Sequence, residues 1–491
     1  MLVRNWTLLT KLLFFCTCVF VLSMATVGFA QDDGDGGGDG GGDTDDGGGD
    51  GGGDGGGDDQ VGGVLISAEG LLARRAAPRN ARQLNVQRFN AAKAALEKNL
   101  QQASPLRKVS INRLEAEVAK LIEAGKPVPA DVRYLAGLTK ISHVFFYPET
   151  QDIVIAGPAE GFFFNADNFV VGMESGRATL KLEDLVVALR AFAPEVNQPT
   201  LITCSIDPTQ EGLVRLNGVV GQWQRRLNAG QRGPNMESQI VQSYIEALGP
   251  QTITVKGVSP KTDFARVLVE ADYRMKLIGL ELERPAVRGI TSFVAKAKPS
   301  GSGNALQRWF FQPDYDCVTI NDDDTAMEIA GEGVKLVGED ETVGAAGQRK
   351  GTGKSSRASR AFTSSFTKTY AKLAEATPIW AELRNVIDVS IAAAFIQKVD
   401  LYSKADWSLG VFGDESLFPV ENYKAATQVA PIANAYWKGN QFMSPIAGGV
   451  AIQAKIALNS DRVTVDTEGK LNEVRDGIDL SGLEPNQWWW D

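Results

Sequence analysis

The chain has 491 residues, a formal charge of −10 and one histidine, His143. One histidine excludes a zinc site built from several imidazoles and leaves a single candidate base for a Ser-His or Cys-His nucleophile pair. Setting aside a leader of 30 residues and a Gly/Asp tract ending near residue 62 leaves 429 residues, enough for roughly two or three domains with their own cores.

The charge is unevenly placed. The tract Asp32 to Asp59 holds eleven aspartates and no base, while residues 63–130 hold twelve Lys and Arg against five Glu, a net of +7. The stretch 131–491 then carries a net of −8. A basic segment thus lies between an acidic tract and an acidic body.

Residues 1–30 have the layout of a cleaved secretory signal: Arg4 and Lys11, an apolar run from Leu12 to Leu22, and Gly28 and Ala30 before Gln31. The expectation is export to the periplasm, the cell surface or the medium, with the mature chain starting at Gln31. Leu13-Phe14-Phe15-Cys16 places bulky side chains where a lipidation site needs small ones, so release without a lipid is expected. Residues 31–62 repeat Asp-Gly-Gly-Gly and have little apolar area to bury, which predicts a disordered, self-repelling tether. The apolar residue that fixes each turn of a calcium β-roll is missing from the repeat, so diffuse counter-ion binding accounts for its chemistry.

From Ser67 to Gly125 the pattern reads as helical. Val86, Phe89, Leu96 and Leu100 recur on one side, Ser104-Pro105 breaks the run, and Ser110 is placed to cap a second helix carrying Leu114, Val118, Leu121 and Ile122. This predicts a basic helical arm over 63–130, with Arg74, Arg75, Arg79, Arg82, Arg88, Lys93, Lys98, Arg107 and Lys108 facing solvent. An anionic envelope polymer or the acidic tract is the expected partner of that arm. Nucleic acid is not expected for an exported chain.

A mixed α/β domain is expected over 131–300. His143 to Pro148 and Asp152 to Gly157 read as a hairpin, and Leu182 to Phe192 as a helix. Thr200 to Ile206 is an apolar run followed by Asp207-Pro208, an N-cap and N1 proline for a helix toward Leu227. A helix over Met236 to Leu248, a strand Thr252 to Val255 and a helix Asp263 to Leu282 complete the alternation.

In 301–491, four β-rich runs between Asn304 and Glu339 read as a meander. A Gly/Ser/basic loop spans Gly344 to Arg360, helices follow at Phe362 to Ala376 and Pro378 to Val399, and a strand is expected over Gly449 to Leu458 before the tail Trp488-Trp489-Trp490. Ile379 to Val399 contains Glu382, Arg384, Asp388 and Lys398, which marks it as a core helix and not a membrane span. The predicted fold class is α+β: a helical arm, a mixed α/β layer body, a β-meander and a C-terminal helical pair.

Few motifs carry chemistry. Gly353-Lys354-Ser355 resembles the end of a phosphate loop, but the first glycine it requires falls on Gln348. His143 sits in a strand pattern with no second histidine, no Gly-x-Ser-x-Gly elbow is present, and neither metal nor cofactor is expected. After leader cleavage only Cys204 and Cys317 remain. They form one possible disulfide, or two buried thiols. Asp152, Glu160, Asp207, Glu211 and Asp272 flank turns or helix starts, where a pair of carboxylates could work as acid and base without histidine. The simpler readings are a turn residue for Asp152, an N-cap for Asp207 and a first-turn carboxylate for Glu211.

Three stretches carry a resemblance. Tyr147-Pro148 with Asp152 to Gly161, Cys204 to Thr209 with Glu211-Gly212, and Ala271 to Lys276 are similar to a family of exported proteins seen mainly in planctomycete bacteria. The family has no assigned activity, so the resemblance implies a compartment and a shared fold and transfers no catalytic residue. The leading expectation is a non-enzymatic secreted or cell-envelope protein with a binding or structural role. A histidine-independent carboxylate hydrolase acting on an envelope polymer or glycan is the alternative. Oligomeric state is not legible.

Overall fold

The computed structural model describes residues 61–196, 200–296, 305–314, 316–343, 348–433, 436–438, 441–443, 450–477, 480, 482–484 and 486–491. The leader and the Gly/Asp tract lie outside the described residues, as do residues 344–347 of the expected Gly/Ser loop.

In chain order the first elements are β1 (Val61–Ile66), β2 (Leu71–Ala76), α1 (Ala81–Ala95), α2 (Lys98–Gln101), β3 (Ser104–Ser110), α3 (Ile111–Glu123) and α4 (Ala130–Arg133). The expected helical arm is therefore corrected: it opens on a hairpin, and Ser104-Pro105 starts a strand where the sequence suggests only a helix break. Arg107 and Lys108 are buried in that strand and do not face solvent. The guanidinium of Arg107 lies 4.7 Å from the Trp489 ring centroid and donates to Asp491 and to the Ala136 carbonyl. The expected apolar side of the first helix holds in part: Leu100 is buried and Phe89 and Leu96 are half-buried, whereas Val86 is exposed and α1 itself buries no residue completely. α1 packs through Phe89 of that side, whose ring meets Phe163 edge-on at 5.5 Å. The Ser110 cap holds, with the hydroxyl accepting from the Arg113 N–H.

The middle of the chain forms β4 (His143–Tyr147), β5 (Asp152–Ala159), β6 (Phe162–Phe164), β7 (Val170–Gly172), α5 (Leu182–Ala191), β8 (Ile202–Asp207), α6 (Gln210–Asn228), α7 (Met236–Leu248), β9 (Gln251–Lys256), α8 (Asp263–Gly279) and α9 (Phe293–Lys296). The β4–β5 hairpin has the expected turn, with Tyr147 opposite Asp152. Asp207 does not cap α6: the cap is Thr209, whose hydroxyl accepts from the Gly212 N–H, and Asp207 ends β8. One residue after Pro208 suits the cap because Thr209 has the extended backbone an N-cap requires. Thr209→Ala is expected to cost about 1 kcal/mol and Thr209→Ser less, whereas Asp207→Ala leaves the cap intact. Chemical denaturation of the three variants checks the assignment, and equal losses for Asp207→Ala and Thr209→Ala would contradict it.

The remaining elements are β10 (Ala305–Pro313), β11 (Val318–Ile320), β12 (Ala326–Ile329), β13 (Val334–Val343), β14 (Arg349–Gly351), α10 (Arg357–Ala376), α11 (Pro378–Lys398), α12 (Leu401–Lys404), β15 (Gln428–Val429), β16 (Tyr436–Lys438), β17 (Gln441–Met443), β18 (Val450–Ile452), α13 (Ala454–Ala457), β19 (Thr464–Val465), α14 (Lys470–Asp476) and β20 (Trp489–Trp490). The expected meander is split between two sheets. A nine-stranded sheet runs β1-β2-β15-β9-β8-β18-β10-β13-β14, and a seven-stranded sheet runs β19-β11-β12-β4-β5-β3-β20. β10 pairs with β13 over nine residue pairs, while the β11–β12 hairpin between them leaves to join β4. Part of the expected loop is the strand β14 and the start of α10. The strand expected from Gly449 is short and turns into α13.

The architecture is α+β, as the sequence indicates, with both sheets drawing strands from 63–130, 131–300 and 301–491. β8 and β9 enclose the helical hairpin α6–α7 and pair antiparallel, so no parallel β-α-β crossover forms there. The seven-stranded sheet is covered on both faces. Val144, Phe146, Ile153 and Ile155 enter the main core, while Phe145, Tyr147, Val154 and Ala156 meet Leu471 and Trp490 of the C-terminal segment. That double burial explains the unbroken apolar runs in β4 and β5. Two helices fill the centre: every residue of α11 from Ile379 to Ile396 is buried, as is every residue of α8 except Arg266. Gly279 ends α8 against Trp309, where an added Cβ would fall 2.5 Å from the indole. No helix among the described residues is long and apolar enough to cross a membrane.

Candidate functional site

The five candidate carboxylates do not converge on one cleft. Asp152 is fully buried in β5 and accepts a bidentate pair from Arg113 at 2.8 Å for each bond, together with the Ser110 hydroxyl at 2.6 Å. Glu160 accepts from the backbone N–H groups of Glu174 and Ser175, at 2.5 Å and 3.1 Å, and from the Ser175 hydroxyl. Glu211 is exposed in the first turn of α6, where negative charge suits the helix dipole. Asp272 is buried in α8 and accepts from Lys276, one turn on, at 2.7 Å. Of the five, only Glu160 lines the cavity described next.

That cavity, of about 400 Å³, opens between the start of β3, the residues before β4, the end of β5, the turn 174–177 and Glu332. Lys140 and Arg177 are its cations. Arg177 is held by Glu332 at 3.3 Å and by Glu375 at 3.1 Å. Behind it, Arg384 of α11 is buried between Glu332, the Gly331 carbonyl and Asp388, whose Oδ2 lies 2.8 Å from the guanidinium. Burial pushes the Asp388 carboxyl up to about 6, with Arg384 opposing the rise. Burial, with Arg384 close by, pulls the Lys140 ammonium below its ordinary range. His143 is stacked on Phe145 at 5.3 Å and bonded to the Ser142 hydroxyl. Burial lowers its ring to about 4, so it is neutral near pH 7.

A second concentration of charge is buried in the core. Lys181 donates to Asp263 and to Glu382, at 2.5 Å each, and Arg266 bridges Asp263, Glu270 and Glu382. Arg274 extends the chain to Glu283 at 2.8 Å. Burial alone would raise Asp263, but Arg266 and Lys181 outweigh it and hold the carboxyl well below its ordinary range. Asp184, at the first turn of α5, is raised well above its ordinary value by burial and by the nearby Asp263 charge.

The surface on and beside α1 is different. Arg79, Arg82, Lys93 and Lys98 are exposed and make no hydrogen bond or ion pair among the described residues, and no acidic residue lies within the helix. Of the nine cations expected on the solvent side of this segment, Arg107 and Lys108 are buried, and Arg74, Arg75 and Arg88 are tied to backbone carbonyls.

Both cysteines are buried free thiols. Burial, with a smaller contribution from Asp388, pushes Cys317 up to about 12. Cys204 is raised well above its ordinary value by burial, then by Asp272, with Asp207 adding a smaller share. The motifs Cys204 to Asp207 and Asp272 to Lys276 therefore share one neighbourhood, where Lys276 also reaches the Ile206 carbonyl at 3.5 Å. Residues 204–293 match the family DUF1598, described as a protein of unknown function. The match covers two of the three stretches that carry the resemblance and leaves the one at 147–161 outside. No curated protein matches the chain, and no solved structure does. The DUF1598 stretch contains β8 from Cys204 on, α6, α7, β9 and α8, and so supplies Asp263, Arg266, Glu270, Arg274 and Glu283 of the buried network. Lys140, Lys181 and Glu382 lie outside it.

Neither Lys140 nor Lys181 stands out in the sequence, because nothing local sets either apart from an ordinary surface lysine. Arg384 and Asp388 carry a signal, being charges four residues apart inside an apolar helix, a spacing that places them on one face. Among the described residues, no group of three or more His, Cys, Asp or Glu side chains is arranged to hold a metal ion.

Proposed function

We propose that the protein is exported and acts in the cell envelope by binding, not catalysis, holding an anionic partner on the exposed face of α1. The observation that carries this reading is the set of four exposed cations, Arg82 and Lys93 on α1 and Arg79 and Lys98 beside it, none of which makes an ion pair among the described residues. Unpaired charge of one sign on a surface attracts a polymer of opposite sign and accelerates encounter with it. Two anions are available: a negatively charged envelope polymer, and the chain's own eleven aspartates between Asp32 and Asp59. The non-catalytic part of the reading draws support from the engagement of Asp152, Glu160 and Asp272 in ion pairs and hydrogen bonds. The leader supports export.

The test is binding of the mature chain to polyaspartate and to an acidic polysaccharide at low and high salt. Affinity is expected to fall as salt rises. It is also expected to fall in the double variant Arg82→Glu, Lys93→Glu, which leaves the core untouched because both side chains are exposed. Binding that ignores both salt and charge reversal would remove α1 as the surface.

A further inference from the structure

We propose that the cavity beside Lys140 binds a small carboxylate that also carries hydrogen-bond donors, a chemistry shared by acidic sugars and zwitterionic peptides. The site is separate from α1 and does not depend on the polymer reading. Its volume, about 400 Å³, lies within the range of small-ligand pockets and suits one sugar unit or a short peptide.

A charge inventory of the lining sets the ligand's chemistry. Glu160 is satisfied by two backbone N–H groups and the Ser175 hydroxyl. Glu332 is shared by Arg177 and Arg384, and Arg177 is further held by Glu375. Among the described residues, two charged groups of the lining make no hydrogen bond or ion pair: the ammonium of Lys140 and the carboxylate of Glu174. Lys140 is half-buried, so its charge has lost part of its water; Arg384 and Arg177 add positive potential around it, and Asp388 and Glu332 oppose them. An arriving carboxylate replaces the lost hydration of Lys140, whose charge, unlike those of Arg177 and Arg384, has no ion pair among the described residues. Glu174 is exposed at the rim and can only accept, so the far end of the ligand must donate, through hydroxyls or an ammonium. Pro105 and Pro158 supply apolar wall that brings no competing side-chain donor.

The experiment titrates the mature protein by calorimetry with a hexuronic acid, with glycylglycine, and with glucose as the neutral control. At least one of the two acids is expected to bind saturably, and glucose is not. Lys140→Met is expected to weaken that binding by about tenfold or more, with Lys140→Arg retaining part of it. Glu174→Gln distinguishes the two sources, because losing the carboxylate weakens a ligand ammonium more than a hydroxyl. In parallel, the rate at which an amine-selective reagent modifies Lys140 in the wild type is expected to fall when the bound acid is present, a readout that needs no variant to fold. The proposal is overturned if neither acid binds, if a normally melting Lys140→Met binds as the wild type does, or if saturating acid leaves the modification of Lys140 unchanged.

Discussion

Replacing Lys181 with Met is expected to destabilise the protein by about 3–5 kcal/mol, the cost of removing one partner from a buried ion pair. The Lys181 side chain lies between Asp263 and Glu382, two carboxylates from helices far apart in sequence, each accepting at 2.5 Å. Both carboxylates are almost wholly shielded from water, with side-chain exposures of 2% and 1%. Without the ammonium, Arg266 alone must compensate them while also serving Glu270. Methionine keeps most of the volume, so the loss reports charge more than packing. A second substitution separates the two: Lys181→Met combined with Glu382→Gln removes one cation and one anion together and is expected to recover part of the loss. Denaturant unfolding of wild type, both single variants and the double variant gives the coupling directly. A double variant no more stable than Lys181→Met would mean that the pair does not act through charge.

The second large effect is a pH dependence centred on Asp388. Its carboxyl is raised from an ordinary 3.8 to about 6, chiefly by burial against which Arg384 works. The folded state therefore holds a proton over a range in which the unfolded chain has released it. Stability from this group is complete below about pH 4 and is lost as pH rises through about 6, because the ionised carboxylate is then forced into the core. A rise of this size is worth about 3 kcal/mol once the whole range has been crossed. Asp388→Asn abolishes the titration, so the stability difference, variant minus wild type, is expected to grow by about 2–3 kcal/mol between about pH 4 and pH 7. Denaturant melts at several pH values measure this, and a pH-independent difference would show that Asp388 does not titrate as its environment indicates. Subtracting the variant cancels the titration of the many other carboxylates.

Much of the secondary structure is legible in the sequence because its signals are local. A helix forms over Met236–Leu248, where one is expected. The β4–β5 hairpin follows from two β-rich runs around a polar turn, and the unbroken apolar character of α11 announces a core helix whose charges have to be buried or paired. The errors share one cause. Ser104-Pro105 reads as a helix breaker because the partners that make β3 a strand, β5 and β20, come from residues 152–159 and 489–490. The four runs between 304 and 339 read as a meander because proximity along the chain suggests that neighbouring strands pair, whereas β11 and β12 pair with β19 and β4 as well as with each other.

What the sequence determined by itself was the distribution of charge, the single histidine, the signal-like leader, the α+β class and most helix spans, all of which depend on composition or on neighbours within a few turns. Tertiary structure alone decided which charges are spent and which are left over. It buried Arg107 under Trp489, tied Asp152 to Arg113 and Asp272 to Lys276, and enclosed Lys181 between two distant carboxylates. It left Lys140 beside a cavity and four cations bare on and beside α1. The physical reason is that a charged side chain's role depends on its distance to opposite charge and on its access to water. Both are properties of the folded chain that spacing along a sequence does not encode.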